Sequence, residues 1–254
     1  LAGSLWPLGP KVSSSVGSTL TFGPSGHYDP ASEYFVYECD EYDRNFLHFT
    51  PHLSLITSID YDHPDTYPTE DEYREAFRTF IAHSSRTTAW ANDLAYIQQP
   101  ITETITALAP TDVRDLKLAG EHNRRNATLV LTALEQLGLG DPARHIAALE
   151  SFPGTDRRFE KLADGMYSDY GHHPEEIAAT LQMARELSDD VTLVYQPHQN
   201  LRQHFIKDDY TTQFEHASQV FWLPTYLTRE DPSQAILTPE ELTHNVTNKS
   251  AISY

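Results

Sequence analysis

The stretch Ser168-Asp169-Tyr170-Gly171-His172-His173-Pro174-Glu175-Glu176-Ile177 decides the fold of the second half of this chain. It places an acid, a phenol and two imidazoles directly before a proline that is suited to the first turn of a helix. The alternating run 163–167 predicts a strand before it. A helical stripe is predicted after it, formed by Ile177, Leu181, Ala184 and Leu187. Polar residues between a strand and a helix are typical of ligand sites in α/β proteins, and a helix start offers backbone N–H groups to an anion. Taken alone, the stretch fits either a metal site or a hydrolase fragment.

The sequence after residue 163 predicts a β-α-β-α-β order. Further strands are expected over 191–196 and 219–223, with helices around 203–216 and near 239–246. This order predicts a parallel sheet with right-handed crossovers. The strand over 191–196 also ends in polar residues, from His198 to Arg202. We therefore expect the two polar clusters to lie on the same carboxyl edge of the sheet.

Composition limits the classes of function. The chain has 254 residues, 39% hydrophobic, which supports one large or two ordinary domains. Its net charge of −19 disfavours nucleic acid or an anionic membrane as a partner but is compatible with Mg²⁺. No run approaches the ~20 apolar residues that span a bilayer, and no secretory signal is apparent, so we expect a cytoplasmic protein that begins as if cut from a longer one. The single cysteine, Cys39, excludes an intramolecular disulfide and fits a reducing compartment.

Two acidic segments follow predicted strands in the first half. The strand 33–39 runs into four carboxylates between Glu38 and Asp43, and the strand 53–59 is followed by a segment that contains His63 and three aspartates. Each segment is either a solvated turn or part of a cation site. If the two strands are neighbours, both segments would converge on one metal ion.

Further along the first half of the sequence, two segments carry helix signals. Thr69 with Glu72 predicts a capped helix. We expect residues 84–119 to form a partly β connecting region. After His122, apolar residues at helix spacing predict a strong helix. His122 or Asn123 is either a helix cap or a ligand group. Asn123 and Asn126 share one helix face, where their amides would present a donor and an acceptor to a flat heterocycle.

A loop with paired arginines follows the predicted domain boundary near residue 151. We expect one domain over 1–150 and a second over 151–254. Arg157 and Arg158 either balance local acidic charge or clamp a phosphate, for which the guanidinium fork is suited.

Six motifs in order resemble the Mur ligase family over most of residues 33–202. They are 38–47, 62–67, 120–126, 152–160, 169–177 and 196–198. The resemblance is to the members that join L-alanine to UDP-N-acetylmuramate and to a relative that recycles murein peptides. It implies an α/β fold, with a central ATP-binding domain of mostly parallel sheet followed by a Rossmann-like C-terminal domain.

The resemblance also implies a reaction and its residues. ATP would phosphorylate the muramyl carboxylate, and the amine of L-alanine would attack the acyl phosphate, with the two domains closing over ATP. The implied metal ligands for Mg²⁺ are Glu38 and His63. The implied ATP-binding residues are His122, Asn123, Asn126, Arg157 and Asp169. The residues implied to position the amino acid and the reacting carboxyl are Tyr170, His172, His198 and Arg202. A monomer or homodimer is expected.

The sequence departs from the family pattern in several places. No phosphate loop of the Gly-x-x-Gly-Lys-Thr/Ser type and no N-terminal sugar-nucleotide domain is found, and Gln199 stands where members usually carry an arginine. The C-terminal domain is expected to stop before its last strand and helix. The chain by itself is therefore expected to be a poor ligase. A peptide-recycling ligase and a non-catalytic homologue that acts as a binding or scaffold protein remain as alternatives.

Overall fold

The computed structural model describes residues 11–17, 24–228 and 230–254. Within them the chain forms two compact units. One consists of the described residues up to Leu118 together with Asn123–Glu160, and the other of Ala119–His122 and the described residues from Lys161 to Tyr254. The phosphate-loop expectation for the opening segment falls largely on positions outside the described residues. In the described part of the chain, no helix is both long and apolar enough to cross a membrane.

A small mixed sheet opens the first unit. Its strands are β1 (Val12–Ser15), β2 (Gly26–His27) and β3 (Tyr34–Tyr37), in the order β2-β1-β3. Strand β1 runs parallel to β3, with Val12 opposite Tyr34, and antiparallel to β2. The strand predicted over 33–39 is therefore confirmed as β3.

A parallel sheet supports the rest of the first unit. Its strands β4 (Ser54–Leu55), β5 (Thr87–Trp90) and β6 (Ile105–Leu108) lie in that order. The expectation that the strands before the two acidic segments are neighbours is wrong, because β3 and β4 belong to different sheets. Strand β4 pairs instead with β5, with Ser54 opposite Thr87, and all four residues of β5 are buried. The β5 sequence Thr-Thr-Ala-Trp lacks the β-branched apolar run that usually marks a central strand.

The helices of the first unit are α1 (Glu70–His83), α2 (Ala91–Tyr96), α4 (Pro142–Glu150) and all but the first two residues of α3 (Glu121–Gln136), with 3-10 turns over Tyr42–His48 and Pro110–Asp112. Several of their ends lie at signals that the sequence carries. The hydroxyl of Thr69 accepts the Glu72 amide at 3.3 Å, and Asp141 caps α4. Gly138 has the left-handed φ of 65° expected after a helix end. The main apolar cluster includes Phe46, Tyr67, Tyr73, Phe77, Phe80, Ile81, Leu94 and Ile97.

The second unit combines a two-stranded sheet with a parallel three-stranded sheet. Its elements are β7 (Glu160–Ala163), β8 (Met166–Ser168), α5 (Pro174–Leu187), β9 (Thr192–Tyr195), α6 (Asn200–Ile206), β10 (Gln219–Trp222), α7 (Pro239–Leu242) and β11 (Ile252–Ser253), with 3-10 turns over Lys207–Tyr210 and Lys249–Ala251. The parallel sheet has the order β11-β10-β9. The helix predicted over 203–216 is shorter, as α6 and the 3-10 turn that follows it.

The strand predicted over 163–167 does not belong to the parallel sheet. Strand β8 pairs with β7 across a turn at Gly165, whose φ is 72°. Leu162, Met166 and Tyr167 remain exposed in these two strands, whereas Val220 and Trp222 of β10 are fully buried. The alternation of 163–167 thus marks an exposed pair of strands and not a half-buried strand of the larger sheet. The α/β class itself, with a parallel sheet in each unit, is confirmed.

Candidate functional site

Three aromatic side chains of the opening motif and of β9 converge in the second unit. The ring of Tyr170 lies 5.1 Å from that of His172 and 6.1 Å from that of His198, and the two imidazoles are 6.1 Å apart. Tyr170 and His172 follow β8, whereas His198 follows β9. The structure therefore brings the two predicted polar clusters together, although β8 and β9 belong to different sheets. Their predicted role in positioning substrate stays a prediction.

A fourth ring, which sequence reasoning missed, completes this cluster. Tyr226 stacks on His198 with centroids 5.6 Å apart and an interplanar angle of 17°. Its backbone accepts the Gln199 amide at 3.0 Å and donates to the Pro197 carbonyl at 2.8 Å. The ring is 53% exposed, so it presents an aromatic face beside the imidazole. We call Tyr170, His172, His198 and Tyr226 the ring cluster.

The residues before α5 are held by the protein's own carboxylates. The Glu176 side chain accepts the amides of His172 and His173 at 3.0 and 3.3 Å. The Asp169 side chain accepts the Gly171 amide at 2.6 Å. Glu176, the third residue of α5, therefore occupies the two amides directly before the helix, and these two are not available to an anion. The capping pattern was readable from the sequence.

Gly171 allows the Asp169 carboxylate to fold back. A Cβ at this position would lie 2.9 Å from Asp169 Oδ1, closer than real Cβ atoms come to such an atom. A side chain at position 171 would displace the carboxylate that the resemblance assigns to the ribose.

Arg202 lies on the first helical turns of α6, where its charge acts on two buried phenols. Burial raises the pKa of both Tyr195 and Tyr210, and the nearby guanidinium of Arg202 opposes that shift in each. The predicted role of Arg202 in positioning substrate stays a prediction.

The two acidic segments of the first unit meet through His63 and Glu41, rather than through the predicted pair of His63 and Glu38. His63 Nε2 lies 3.5 Å from Glu41 Oε1 and 3.7 Å from Asp62 Oδ2, and its ring packs edge-on against Tyr42 at 5.1 Å. The hydroxyl of Tyr67 donates to the Glu41 carbonyl at 2.6 Å. The two segments are thus in contact around Glu41, and their convergence on one metal ion stays a prediction.

Glu38, the other predicted metal ligand, accepts the amide of Gly17 at 2.8 Å. Among residues 11–17, 24–228 and 230–254, no three His, Cys, Asp or Glu side chains are placed to hold a metal ion by themselves. The donors near His63 are carboxylates, which suit Mg²⁺, and Mg²⁺ is commonly held by one or two carboxylates together with substrate phosphates. The donor chemistry of this segment therefore fits Mg²⁺ in the presence of a phosphorylated substrate.

The predicted nucleotide residues of the first half lie at the start of α3. His122 and Asn123 are half-buried, and Asn126 is exposed one turn further along the helix. Arg157 is exposed in the loop before β7, where its amide donates to Glu160 at 2.9 Å. The roles of these residues stay predictions.

A buried acid near the start of α3 was missed by the sequence analysis. The Asp93 side chain is 5% exposed, and burial raises its pKa to about 6, with Arg125 opposing the shift. The guanidinium of Arg125 lies 4.2 Å from the Trp90 ring centroid and 3.4 Å from Asn92 Oδ1. These contacts tie the end of β5 to the first turns of α3, and no local sequence signal marks them.

Strained backbone concentrates in the motifs. Among the described residues, seven residues other than glycine have positive φ, and five of them lie in the motif segments. These five are Asp43, Arg44, His63, Arg157 and Phe159, and a sixth residue, Gln199, directly follows the last motif. Each costs about 1–3 kcal/mol in conformations of this kind, which persist where the surrounding structure fixes them and are frequent at functional sites.

Curated relatives match the chain over most of its length. A UDP-N-acetylmuramate–L-alanine ligase of Acidobacterium capsulatum is 31% identical over 250 residues, which cover 81% of this chain and 53% of the relative. One from Clavibacter michiganensis is 32% identical over 238 residues, which cover 80% and 50%. The chain belongs to the Mur ligase family. It spans about half the length of the curated relatives it matches. No family model matches it.

Solved structures confirm the Mur ligase fold. UDP-N-acetylmuramate-alanine ligase from Thermotoga maritima superposes with a TM-score of 0.69 at 23% identity, over 89% of this chain and 58% of that one. A murein peptide ligase from Psychrobacter arcticus gives a TM-score of 0.55 at 21% identity, over 87% and 59%. At this level of sequence identity, the similarity to solved structures supports the fold and does not identify the substrates of this chain.

Proposed function

We propose that this Mur ligase chain is part of an ATP-dependent amide ligase of peptidoglycan precursor synthesis, which joins L-alanine to UDP-N-acetylmuramate through an acyl phosphate. The ring cluster is the observation that carries the proposal. It gathers Tyr170, His172 and His198 from two separate motifs into one surface in which ring centroids lie 5.1–6.1 Å apart. The names of the relatives supply the substrates in this proposal.

The chemistry of the cluster supports a positioning role. Imidazole and phenol groups donate and accept hydrogen bonds, so they suit an amino acid's amine and a sugar carboxylate. Amide ligation through an acyl phosphate depends chiefly on orienting the amine and on stabilising charge that develops on oxygen. In the proposal His172, His198 and Tyr170 orient the amino acid, and Arg202 offers its guanidinium to the reacting carboxyl.

For ATP, the proposal uses the nucleotide-binding residues that the family resemblance implies. Asn123 and Asn126 would take the adenine with His122, Arg157 would bind phosphate oxygens, and Asp169 would accept the ribose hydroxyls.

A magnesium ion would be held beside His63, with Glu38 or Glu41 as the carboxylate. When bound, it neutralises charge on the transferred phosphoryl group. The chain's own contribution is to keep His63 in place, and the contacts of its ring with Glu41, Asp62 and Tyr42 support that.

The proposal is tested with the chain and with any longer form that its gene encodes. Phosphate release from ATP is measured with UDP-N-acetylmuramate, L-alanine and Mg²⁺ omitted one at a time. Release that requires all of them supports the proposal, and release that does not depend on the sugar nucleotide contradicts it.

A peptide-recycling ligase is the second candidate, since a murein peptide ligase shares the fold. Replacing L-alanine with a murein tripeptide in the same assay separates the two. ATP binding without turnover under any combination would instead indicate a non-catalytic homologue.

A further inference from the structure

A chain of hydrogen bonds runs from the core of the second unit to the backbone of His198. The hydroxyls of Tyr195 and Tyr210 are 3.0 Å apart, and the Tyr210 hydroxyl donates to Gln203 Oε1 at 2.7 Å. Gln203 Nε2 then donates to the His198 carbonyl at 3.3 Å. Because the single hydroxyl proton of Tyr210 is given to Gln203, the Tyr195 hydroxyl is the donor between the two phenols.

The three side chains that form these hydrogen bonds are buried. Gln203 and Tyr210 are fully buried and Tyr195 is 5% exposed. The two phenols pack with Phe214 and Trp222, at centroid distances of 4.9–6.3 Å. A buried amide whose donor and acceptor are both engaged has little freedom to rotate. Gln203 is therefore a rigid connection between this aromatic core and the backbone before α6.

The backbone to which Gln203 is hydrogen-bonded, at His198 and Gln199, is strained. Gln199, directly after His198, has φ of 63°, a left-handed conformation that side chains other than glycine rarely adopt. Its amide donates to the Tyr226 carbonyl at 3.0 Å, and its carbonyl accepts the Gln203 amide at 3.1 Å. Gln203 thus bonds to this bend twice, once through its backbone and once through its side chain.

We propose that Gln203 is a positioning residue that fixes His198 within the ring cluster. The buried core holds the Gln203 amide, the amide holds the His198 carbonyl, and the strained peptide that follows turns the imidazole toward Tyr170 and His172. The assignment deepens the proposed function, since it rests on His198 as a substrate-orienting group, but the placement of the imidazole is measurable without any activity.

The direct test is the NMR signal of the His198 ring, assigned by its loss in His198→Gln. We expect Gln203→Met, which keeps the side-chain length but removes both hydrogen-bonding atoms, to change the chemical shift of this signal and its titration midpoint. Tyr210→Phe, which leaves the Gln203 donor in place but removes its hydroxyl partner, should cause a smaller change in the same direction. Gln213→Met makes the same substitution at a half-buried glutamine whose side chain binds Glu175 at 2.9 Å, and it should leave the His198 signal unchanged.

A purely structural role predicts a different outcome. If Gln203→Met lowers the free energy of unfolding and leaves the His198 signal unchanged, the proposal is overturned. If Gln203→Met does not fold, Tyr210→Phe decides: a moved signal supports the proposal, and an unmoved one overturns it.

Activity gives a second readout once the wild-type chain or its longer form is shown to ligate. Misplacement of an orienting group by about 1 Å costs up to about 100-fold, so the KM for the amino acid should rise about 10- to 100-fold in Gln203→Met while the KM for ATP stays the same. An inactive wild type would remove the proposed function but leave the NMR result standing.

Discussion

The hydroxyl of Tyr67 donates a 2.6 Å hydrogen bond to the backbone carbonyl of Glu41, and this contact joins the two acidic segments of the first unit. The phenol is completely buried, and burial with the nearby Glu41 raises its pKa to about 12, so it remains a neutral donor at physiological pH. The carbonyl of Tyr67 in turn accepts the Tyr61 hydroxyl at 2.7 Å. These two hydrogen bonds fix the backbone of both segments, and this holds Glu41 and His63 facing each other.

Tyr67→Phe should destabilise the protein by leaving the Glu41 carbonyl without its partner. The expected loss is about 1–3 kcal/mol in the free energy of unfolding, measured by urea denaturation. Tyr28→Phe, at a side chain that is 80% exposed, serves as the control and should change stability by less than about 0.5 kcal/mol. Equal stability of Tyr67→Phe and wild type would show that this hydrogen bond contributes nothing net.

His63→Ala should raise the Mg²⁺ concentration that half-saturates ATP turnover, because the proposed metal position loses its nitrogen ligand. The measurement is phosphate release against Mg²⁺ concentration at saturating ATP. His83→Ala, at the exposed last residue of α1, is the matched control. An unchanged Mg²⁺ dependence would remove His63 from the metal site.

Asp93→Asn should alter how stability depends on pH. Burial raises the pKa of Asp93 to about 6 from its ordinary 3.8, so the folded state holds this proton more tightly than the unfolded state. The carboxyl therefore favours folding most below pH 3.8, and that contribution is lost as pH rises toward 6. The stability of Asp93→Asn relative to wild type should then increase by up to about 3 kcal/mol between pH 4 and pH 7.

The measurement for Asp93 is the free energy of unfolding of both proteins at several pH values. Asp71→Asn, which removes an exposed acid in the first turn of α1, is the control for the loss of a carboxylate. A flat difference for Asp93→Asn would mean that Arg125 balances the burial of the carboxyl.

Gly171→Ala should displace the Asp169 carboxylate, since the new Cβ would lie 2.9 Å from its Oδ1. If Asp169 binds the ribose, the Kd for ADP measured by calorimetry should rise about tenfold, as expected for the loss of one charge-assisted hydrogen bond. Gly26→Ala is the control, because a Cβ there meets nothing within 4 Å. Unchanged ADP affinity in Gly171→Ala would separate Asp169 from the nucleotide.

Gln199→Gly should leave the free energy of unfolding nearly unchanged and weaken the binding of the amino-acid substrate. Glycine removes the strain of the left-handed conformation at φ of 63°, which stabilises the folded state. It also raises the conformational entropy of the unfolded chain, which favours unfolding, and these two effects of about 1 kcal/mol each oppose one another. Gln98→Gly is the matched control, because Gln98 also has positive φ, at 53°, and lies outside the motifs. A rise in the KM for the amino acid in Gln199→Gly but not in Gln98→Gly is expected, and equal KM values would assign the strain no functional part.

Signals within a few residues of each other were readable from the sequence. Thr69 and Asp141 cap the helices that they precede, Gly138 ends α3, and Pro174 begins α5. Each of these outcomes depends on hydrogen bonds between a side chain and amides two or three residues away, or on one residue's φ. Local chemistry of this kind does not depend on the rest of the fold.

Strand partnership was not readable in the same way. Strand β8 alternates as a half-buried strand would, yet it pairs with β7 and stays outside the parallel sheet. Strands β3 and β4 follow one another along the sequence but lie in different sheets. Alternation describes one strand's two faces and carries no information about which edge will accept it.

The sequence by itself determined the capped ends of several helices, the α/β class and the six motifs that mark this chain as a Mur ligase relative. Only the tertiary structure decided that Glu41 faces His63, and that Tyr226 stacks on His198. It also decided that Gln203 joins that imidazole's backbone to a buried pair of phenols. The physical reason is distance along the chain: Tyr226 follows His198 by 28 positions, and rings so far apart meet only once β9 and β10 have paired.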